Sequence, residues 1–475
     1  MKIGFYNGYI YDPKSDNFIS NLIIEGNRIL DIDNYFKLNE CDLKVDLNKK
    51  MLIPAFVDTH LHLDEIGIFL NSLNLKDVTS INELRLKIKN FNKKGPIFGI
   101  GWDDEKIGGW PTINDISEFN DEYILLARND LHSGLVNKKL EIDANLNTED
   151  GIVKEKEFEK AREFMIKNIP IEIKEKYLKD SINYLNFFGI TTVGYMSCYG
   201  DWCKILRKFD INNDLTLRIF SYLNYDEIVK RDELYFGKYY KEHGLKVYSD
   251  GSLGSKTAYL SFNYEDDINN RGVKLIEDEK KFKNVCEKFD CDLAVHAIGD
   301  AALDIVLGME KFHKKIRIEH ASLVRDDQLE KLKNMRISIQ PGFILTDFWI
   351  DKRIGKERLR LAYRIKDLIK DNLVSFSSDA PVEIPNPFRN IYASVYRGKF
   401  EKLPISETNQ NINLKEAIKL HTYNGAKFFE LESGAIEKGF LSDFAIINKN
   451  IFEEENILNL HVENVYFDGK LILAK

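Results

Sequence analysis

The 475-residue sequence predicts an α/β protein built on a TIM-like (β/α)8 barrel. Three observations predict this fold class: apolar runs alternate with helical patterns over most of the chain, strand-like segments occupy both ends, and a long segment interrupts the alternation after the first strand. We therefore expect three domains: a β-sandwich domain of residues 1–54 and 431–475, a barrel of residues 55–66 and 176–430, and an inserted α/β domain of residues 67–175 over the barrel mouth.

Both ends of the chain predict short strands joined by turns. Asn7-Gly8 is a typical hairpin turn, and residues 22–30 contain a second hairpin around Gly26. Asp468-Gly469 predicts a third turn among the strand-like residues 444–447, 462–467 and 471–473. Because neither end is large enough to form a good core alone, we expect the two ends to pack together.

Eight apolar runs supply the strands of the predicted barrel: residues 53–58, 193–196, 217–222, 245–248, 293–296, 317–320, 337–340 and 374–377. Helical patterns such as residues 300–312 and 326–333 lie between them. Asp300 is predicted to cap the N-terminus of the first of these helices. Residues 97–102 and 123–127 are predicted strands of the inserted domain.

The composition is that of an ordinary globular protein, with 44% apolar and 30% charged residues. A net charge of −8 argues against nucleic acid or an anionic membrane as the main partner. The first ten residues lack the apolar core of a signal peptide, and five cysteines in so long a chain do not suggest a disulfide framework. We therefore expect a cytoplasmic protein with reduced thiols that acts on a small molecule.

The most informative motif is Asp58-Thr59-His60-Leu61-His62, which follows an apolar run. Successive side chains of a strand point to opposite faces, so His60 and His62 share one face and can clamp a metal ion. A His-x-His pattern also arises by chance. Other residues of the chain are therefore needed to distinguish a metal-binding pair from a chance occurrence.

Further polar residues follow other apolar runs: Lys246, His296, His320 and Asp379. A single histidine at a strand end is usually structural, but four histidines and one aspartate at the C-terminal ends of barrel strands predict a metal site. Imidazole and carboxylate ligands suit zinc, which acidifies bound water. We expect Asp379 to transfer the proton, and we assign Asp379 and His320 as candidate catalytic residues.

Four segments together resemble the metal-dependent amidohydrolase superfamily: PAFVDTHLH at 54–62, VHAIGD at 295–300, EH at 319–320 and SDAP at 378–381. The segment KVYSDGSLGSKTA at 246–258 is similar to the branch that includes N-substituted formamide deformylases, and residues 101–103, 130–132, 189–193 and 434–439 fit the same branch. The resemblance implies a distorted barrel, a β-sandwich built from both termini, and hydrolysis of a non-peptide C–N bond.

The resemblance also implies a role for each candidate ligand. His60 and His62 would bind the more buried of two metal ions together with Asp379. His296 and His320 would bind the second ion.

Lys246 would bridge the two ions as an N-carboxylated lysine, because a carbamate can bridge two cations and an amine cannot. The alternative is that Lys246 is an ordinary lysine and that the site holds a single metal ion. We therefore expect one or two zinc ions per chain, or another divalent metal.

Two positions depart from the family pattern, because Ala55 and Leu131 stand where Gly is usual. The second departure suggests that the substrate end of the site differs from that of better-known members. The candidate substrate-binding residues are Trp102, His132, Asp250, Gly251 and Gln340. For Trp102 and His132, the alternative interpretation is packing within the inserted domain.

These residues leave three functional classes open. The first is a metal-dependent amidase or deformylase acting on a small amide or N-substituted formamide. The second is a deaminase or cyclic-amide hydrolase on the same scaffold, since both reactions attack a trigonal carbon. The third is a non-enzymatic binding protein, against which the retention of every candidate ligand argues. Analogy with the family further suggests a homodimer.

Overall fold

A computed structural model describes residues 1–91, 95–276, 279–311 and 313–475 of the chain. The chain divides into two compact units: the first contains Met1–Leu63 and Ile182–Lys475, and the second contains Asp64–Ser181. The first unit holds both the barrel and the strands of the two termini. The predicted insertion of residues 67–175 falls inside the second unit.

Eight parallel strands form the barrel sheet of the first unit, and they follow one another in chain order. From the first to the eighth they are Phe56–Leu61, Ile190–Cys198, Arg218–Leu223, Tyr240–Tyr248, Asp292–Ala297, Ile316–His320, Arg336–Ile339 and Leu373–Phe376. Most of their residues are buried, as expected for a parallel sheet covered by helices. The predicted α/β barrel is confirmed.

The barrel is nearly closed, with its first and eighth strands at the two edges of the sheet. Hydrogen bonds from the loop after the eighth strand cross this seam. The N–H group of Asp379 donates to the His60 carbonyl, and the N–H group of His62 donates to the Ala380 carbonyl, both at 2.8 Å. The seam therefore fixes the end of the first strand against Asp379.

The first barrel strand begins later than predicted. Met51–Pro54 pairs with Phe444–Ile447 and Tyr9–Asp12 in a different sheet, and the barrel strand starts at Phe56. The prediction of one strand over residues 53–58 is therefore wrong. An apolar run does not reveal such a change of sheet when both segments are buried.

Two sheets contain the strands of the termini. The four-stranded sheet has the order Arg28–Ile32, Leu22–Glu25, Lys2–Tyr6 and Leu43–Asp46. The six-stranded sheet has the order Lys470–Ala474, Val462–Phe467, Phe444–Ile447, Met51–Pro54, Tyr9–Asp12 and Asn17–Ile19. One hydrophobic cluster joins both sheets and includes Phe5, Leu52 and Phe444.

The predicted hairpins around Gly26 and Gly469 are confirmed by antiparallel pairing of the strands on either side. The predicted Asn7-Gly8 hairpin is wrong, because Lys2–Tyr6 and Tyr9–Asp12 lie in different sheets. This turn transfers the chain from one sheet to the other.

The helices of the first unit are mostly short. They are Tyr35–Asn39, Gly200–Ile211, Tyr225–Ile228, Lys280–Phe289, Asp300–Met309, Asp326–Leu329, Phe343–Thr346, Ile350–Ile354, Ile365–Leu368, Pro387–Tyr396, Leu414–Leu420 and Tyr423–Phe428. Helical turns of the 3₁₀ type cover Lys356–Leu361, Pro404–Thr408 and Ile457–Asn459. Helices Leu63–Leu70 and Ile171–Phe187 contain the boundaries between the two units.

Two predicted helices are shorter than expected. The one predicted at residues 300–312 spans Asp300–Met309, and Phe312 lies outside the described residues. Its N-cap is Gly299 and not Asp300, whose carboxylate accepts the Ser261 N–H at 2.9 Å instead. The helix predicted at residues 326–333 is confined to Asp326–Leu329. Within the described residues, none of the helices has the length and apolar character needed to cross a bilayer.

The second unit is built around a five-stranded sheet. Its strands, in order, are Ile152–Lys154, Ser133–Val136, Ile124–Arg128, Ile97–Trp102 and Leu73–Asn74. Its helices are Ile81–Lys89, Asp104–Ile107, Lys138–Asp143 and Lys156–Lys167, with a 3₁₀ turn at Ile113–Ile116. The strands predicted at 97–102 and 123–127 are confirmed to within one residue.

Candidate metal centre

The first barrel strand carries two histidines at its C-terminal end. His60 lies inside the fully buried strand, and His62 follows it with its side chain 17% exposed. The Nε2 atoms of His60 and His62 lie 3.4 and 3.3 Å from Oδ1 of Asp379. The structure therefore brings these three side chains together.

Asp379 follows the eighth strand and is buried, with a left-handed φ of +59°. Its Oδ1 atom has no hydrogen-bond donor in the described part of the chain. Leaving a buried carboxylate oxygen without a donor is costly. The two neighbouring imidazole nitrogens are placed where a cation would satisfy all three atoms.

A buried ion pair orients His60. Oε2 of Glu319 lies 2.6 Å from Nδ1 of His60, and Arg317 donates to Glu319 through Nε and Nη2, at 2.5 and 3.0 Å. A carboxylate oxygen only accepts, so Nδ1 of His60 carries the proton. The Nε2 atom therefore keeps its lone pair and faces Asp379 as a ligand atom.

An amide orients His320 in the same way. Oε1 of Gln340 accepts from Nδ1 of His320 at 2.8 Å, and the Gln340 amide nitrogen donates to the Ser377 hydroxyl at 2.9 Å. Nε2 of His320 therefore keeps its lone pair. One ligand atom from each of His60, His320 and Asp379 lies within 4.8 Å of the other two. Gln340 thus lies behind a candidate ligand, and its predicted contact with substrate stays a prediction.

In His296 the nitrogen that keeps its lone pair is Nδ1, and not Nε2 as in His60 and His320. Its Nε2 atom lies 3.0 Å from the Gly251 carbonyl, which only accepts, so Nδ1 keeps the lone pair. The ring centroids of His296 and His320 are 4.5 Å apart. Asp250 is 1% exposed and accepts the Gly299 N–H at 2.8 Å. The structure therefore places Asp250 and Gly251 beside His296, where they hold the adjoining loop.

Lys246 is buried beside the same histidines. Its Nζ atom lies 3.4 Å from Nε2 of His60 and 4.9 Å from the centre of the Tyr248 ring. Burial lowers the pKa of Lys246 to about 8, against the opposing charges of Glu319 and Asp379. The fraction of neutral amine, which is the form that reacts with carbon dioxide, is thereby increased relative to an ordinary lysine.

Burial also keeps the histidines neutral. It lowers the pKa of His296 to about 3 and the pKa values of His60 and His320 well below the usual value, and neighbouring positive groups add to the effect. Neutral imidazoles bind metals and protonated ones do not. A set of imidazole nitrogens and one carboxylate oxygen fits a divalent ion of the zinc type.

Two predicted substrate-binding residues belong to the second unit. Trp102 is fully buried in the hydrophobic cluster of that unit, and its indole N–H donates to the Leu126 carbonyl at 2.7 Å. His132 is exposed, and its Nδ1 atom lies 3.8 Å from the Glu155 carboxylate. Trp102 therefore has the packing role that was its alternative interpretation, and a role of either residue toward substrate stays a prediction.

The sequence interpretation gave no role to three residues that support the site: Asp58, Arg317 and Glu319. The Asp58 carboxylate accepts the N–H groups of Ser378 and His60, at 3.1 and 3.2 Å, and burial raises the pKa of Asp58 to about 7. The signal that could have found these residues is a charged side chain inside an apolar strand, because such a side chain needs a buried partner.

Comparison with known proteins places this centre in a family. The amidohydrolase family model matches residues 44–473, so the chain belongs to that family. A crystal structure of an uncharacterized metal-dependent hydrolase from Pyrococcus horikoshii has a TM-score of 0.91 and 32% identity, over 97% of this chain and 100% of that one.

Two further relatives are known by sequence. The YtcJ protein of Bacillus subtilis is 27% identical over 100% of both chains. An N-substituted formamide deformylase of Arthrobacter pascens is 24% identical over 39% of this chain and 37% of its own. Together with the family membership, these likenesses identify the protein as a metal-dependent hydrolase of C–N bonds.

Proposed function

We propose that this protein hydrolyses the C–N bond of a small non-peptide amide, with N-substituted formamides as the preferred class. The reaction takes place at the C-terminal ends of the barrel strands, where TIM-barrel enzymes carry their chemistry. Zinc is the proposed metal, because the donor set combines imidazole with carboxylate. The residues that would hold it are His60, His62, Lys246, His296, His320 and Asp379.

The observation that carries the proposal is the position of Oδ1 of Asp379. This atom lies within 3.4 Å of the ring nitrogens of His60 and His62, yet none of the described residues donates a hydrogen bond to it. A carboxylate oxygen that the protein leaves without a donor can bind a metal ion, and the second oxygen of the same carboxylate can then accept a proton from water.

Each polar side chain then has a separate task. Zinc, when bound, polarises the substrate carbonyl and acidifies the attacking water. Asp379 accepts the proton of that water at the carboxylate oxygen that does not hold the metal, and delivers it to the leaving nitrogen, since an amine leaves poorly unless protonated. Glu319 and Gln340 hold the rings of His60 and His320 in the orientation that exposes their lone pairs.

Formamides are proposed as substrates on two grounds. Residues 246–258 follow the pattern of the deformylase branch, and the Arthrobacter relative bears the corresponding activity in its name. Lys246 in this segment is proposed to be N-carboxylated and to bridge two ions.

The test is a hydrolysis screen with zinc-loaded protein of known metal content. Formamides, acyl-amino acids, cyclic amides and nucleobases are compared under one buffer, and carboxylate and ammonia are both quantified. We expect formate and a free amine from N-substituted formamides. The matched control is Asp379→Asn protein with equal metal content, which we expect to be nearly inactive.

Two results would contradict the proposal. Ammonia released from nucleobases, with formamides untouched, would identify a deaminase instead. Fully metal-loaded protein that hydrolyses none of the four classes would exclude the small-amide assignment.

A further inference from the structure

Four of the five cysteines lie in two contacting pairs. The Sγ atoms of Cys198 and Cys203 are 2.7 Å apart, which is closer than two unbonded sulfur atoms normally approach. Both side chains are fully buried. Cys198 ends the second barrel strand, and Cys203 lies in the helix Gly200–Ile211 that follows it.

The second pair repeats this arrangement at another strand. Cys286 lies in the helix Lys280–Phe289, and Cys291 immediately precedes the fifth barrel strand. The two thiols are close enough to share a hydrogen bond, and both are buried. The spacing of five residues is the same in both pairs. Cys41, the remaining cysteine, is partly exposed.

We infer that Cys198–Cys203 and Cys286–Cys291 are sites of disulfide formation. Five cysteines scattered over 475 residues would rarely fall into two contacting pairs by chance. A disulfide also requires sulfur atoms that can meet without movement of the backbone, and the first pair meets that condition directly.

The oxidant is hydrogen peroxide, because both buried pairs are closed to larger reagents. One sulfur attacks a peroxide oxygen and becomes a sulfenic acid, and the O–O bond breaks with release of one water. The second sulfur then displaces the hydroxyl group as a second water, and the S–S bond forms. Each pair loses two protons and two electrons, and one molecule of hydrogen peroxide is reduced to two of water.

Each disulfide would tie a barrel strand to the adjacent helix. At Cys198 the strand end also carries Ser197, whose hydroxyl lies 2.8 Å from that of Tyr248. The Tyr248 ring is 5.3 Å from the His296 ring. The first disulfide thus anchors a strand end two side-chain contacts away from a candidate ligand.

The test is peptide mapping of the full-length protein before and after treatment with hydrogen peroxide. Free thiols are alkylated in denaturant, and the protein is digested with trypsin. We expect five alkylated cysteines before oxidation and only Cys41 after it. The two links give different signatures: Lys288 separates Cys286 from Cys291, so that link joins two peptides, whereas Cys198 and Cys203 close a loop within one peptide.

Single Cys198→Ser and Cys203→Ser variants serve as matched controls. Each should leave its former partner alkylatable after oxidation, while the Cys286–Cys291 link still forms. The inference is overturned if all five cysteines alkylate after oxidation, if Cys41 enters a link, or if the four thiols become separate sulfinic or sulfonic acids.

Discussion

The orientation of the His60 ring depends on a fully buried hydrogen-bond partner. Glu319, held by Arg317, accepts its Nδ1 proton at 2.6 Å, and both charged side chains are fully buried. Glu242 is a second fully buried carboxylate of the same barrel; it pairs with Arg207, whose side chain is 31% exposed, and its hydrogen bonds to Arg207 involve none of the candidate ligands. The two pairs allow a matched comparison.

We expect Glu319→Gln to weaken zinc binding by about 10–100-fold, because an amide no longer enforces the proton on Nδ1. The measurement is competition with a chromophoric chelator. Glu242→Gln is the control and should leave zinc affinity unchanged, although it too removes the charge of a buried carboxylate that is paired with an arginine. Equal zinc affinity in the Glu319→Gln and wild-type proteins would show that Glu319 does not position His60.

Asp379 is expected to act in the chemical step more than in binding. Asp379→Asn keeps the shape and one ligand oxygen but cannot hold the transferred proton. We expect kcat to fall by about 10²–10⁴-fold with a much smaller change in KM. Steady-state kinetics at matched metal content measure this, and an unchanged kcat would assign the proton transfer to another group.

The chemical state of Lys246 decides whether the site holds one metal ion or two. If its carbamate bridges two ions, Lys246→Ala should lose one ion per chain and most of the activity. Bicarbonate should assist reconstitution of metal-free wild type and have no effect on the variant. Metal analysis and intact mass together measure this. An unmodified amine in active protein loaded with metal would favour the one-metal site.

At the scale of elements, the first and second barrel strands approach closely at Gly194. A Cβ atom there would lie 2.2 Å from the Thr59 carbonyl oxygen, so Gly194→Ala must displace backbone beside His60. We expect a loss of about 1–3 kcal/mol in stability, as for an overpacked core. Thermal unfolding measures the effect.

Gly308 provides the matched control. It lies in the helix Asp300–Met309, and a Cβ atom there would meet nothing within 4 Å. Gly308→Ala should therefore stabilise the protein by about 0.5–1 kcal/mol. A Gly194→Ala protein as stable as wild type would mean that the two strands separate at no cost.

The elements that the sequence predicted well are those with local signals. Each barrel strand is a short apolar run followed by polar residues, and the hairpins at Gly26 and Gly469 have typical turn sequences. The turn at Asn7 has the same local signal, but its two strands enter different sheets. That choice depends on strands far away in the chain, so no local pattern contains it.

The candidate site was predictable to the same extent. The candidate ligands stand at or near strand ends and could be named from the sequence. The orientation of these side chains could not be predicted, because it depends on hydrogen bonds between residues far apart in the sequence. Glu319 lies 259 positions from His60, and Asp58 lies 320 positions from Ser378. Trp102 shows a different reason why sequence reasoning is insufficient. An aromatic residue in a family motif can pack in a hydrophobic core as readily as it can bind substrate.

At the scale of the whole molecule, activity and stability should both depend on the metal. We expect protein purified without chelators to contain at least one divalent ion per chain by elemental analysis. Its removal should abolish hydrolysis and lower the melting temperature, because a ligand that binds only the folded state stabilises it. Added zinc should restore both properties, and full activity in metal-free protein would disprove metal dependence.

The six-stranded sheet can be completed only late in translation, because two of its neighbouring strands are far apart in the sequence. Met51–Pro54 leads almost directly into the first barrel strand, yet its neighbour Phe444–Ile447 is translated only after the whole barrel. Until then the N-terminal strands remain an incomplete sheet with an exposed edge, which is a template for wrong pairing. A chain that stops before residue 444 therefore cannot form the six-stranded sheet.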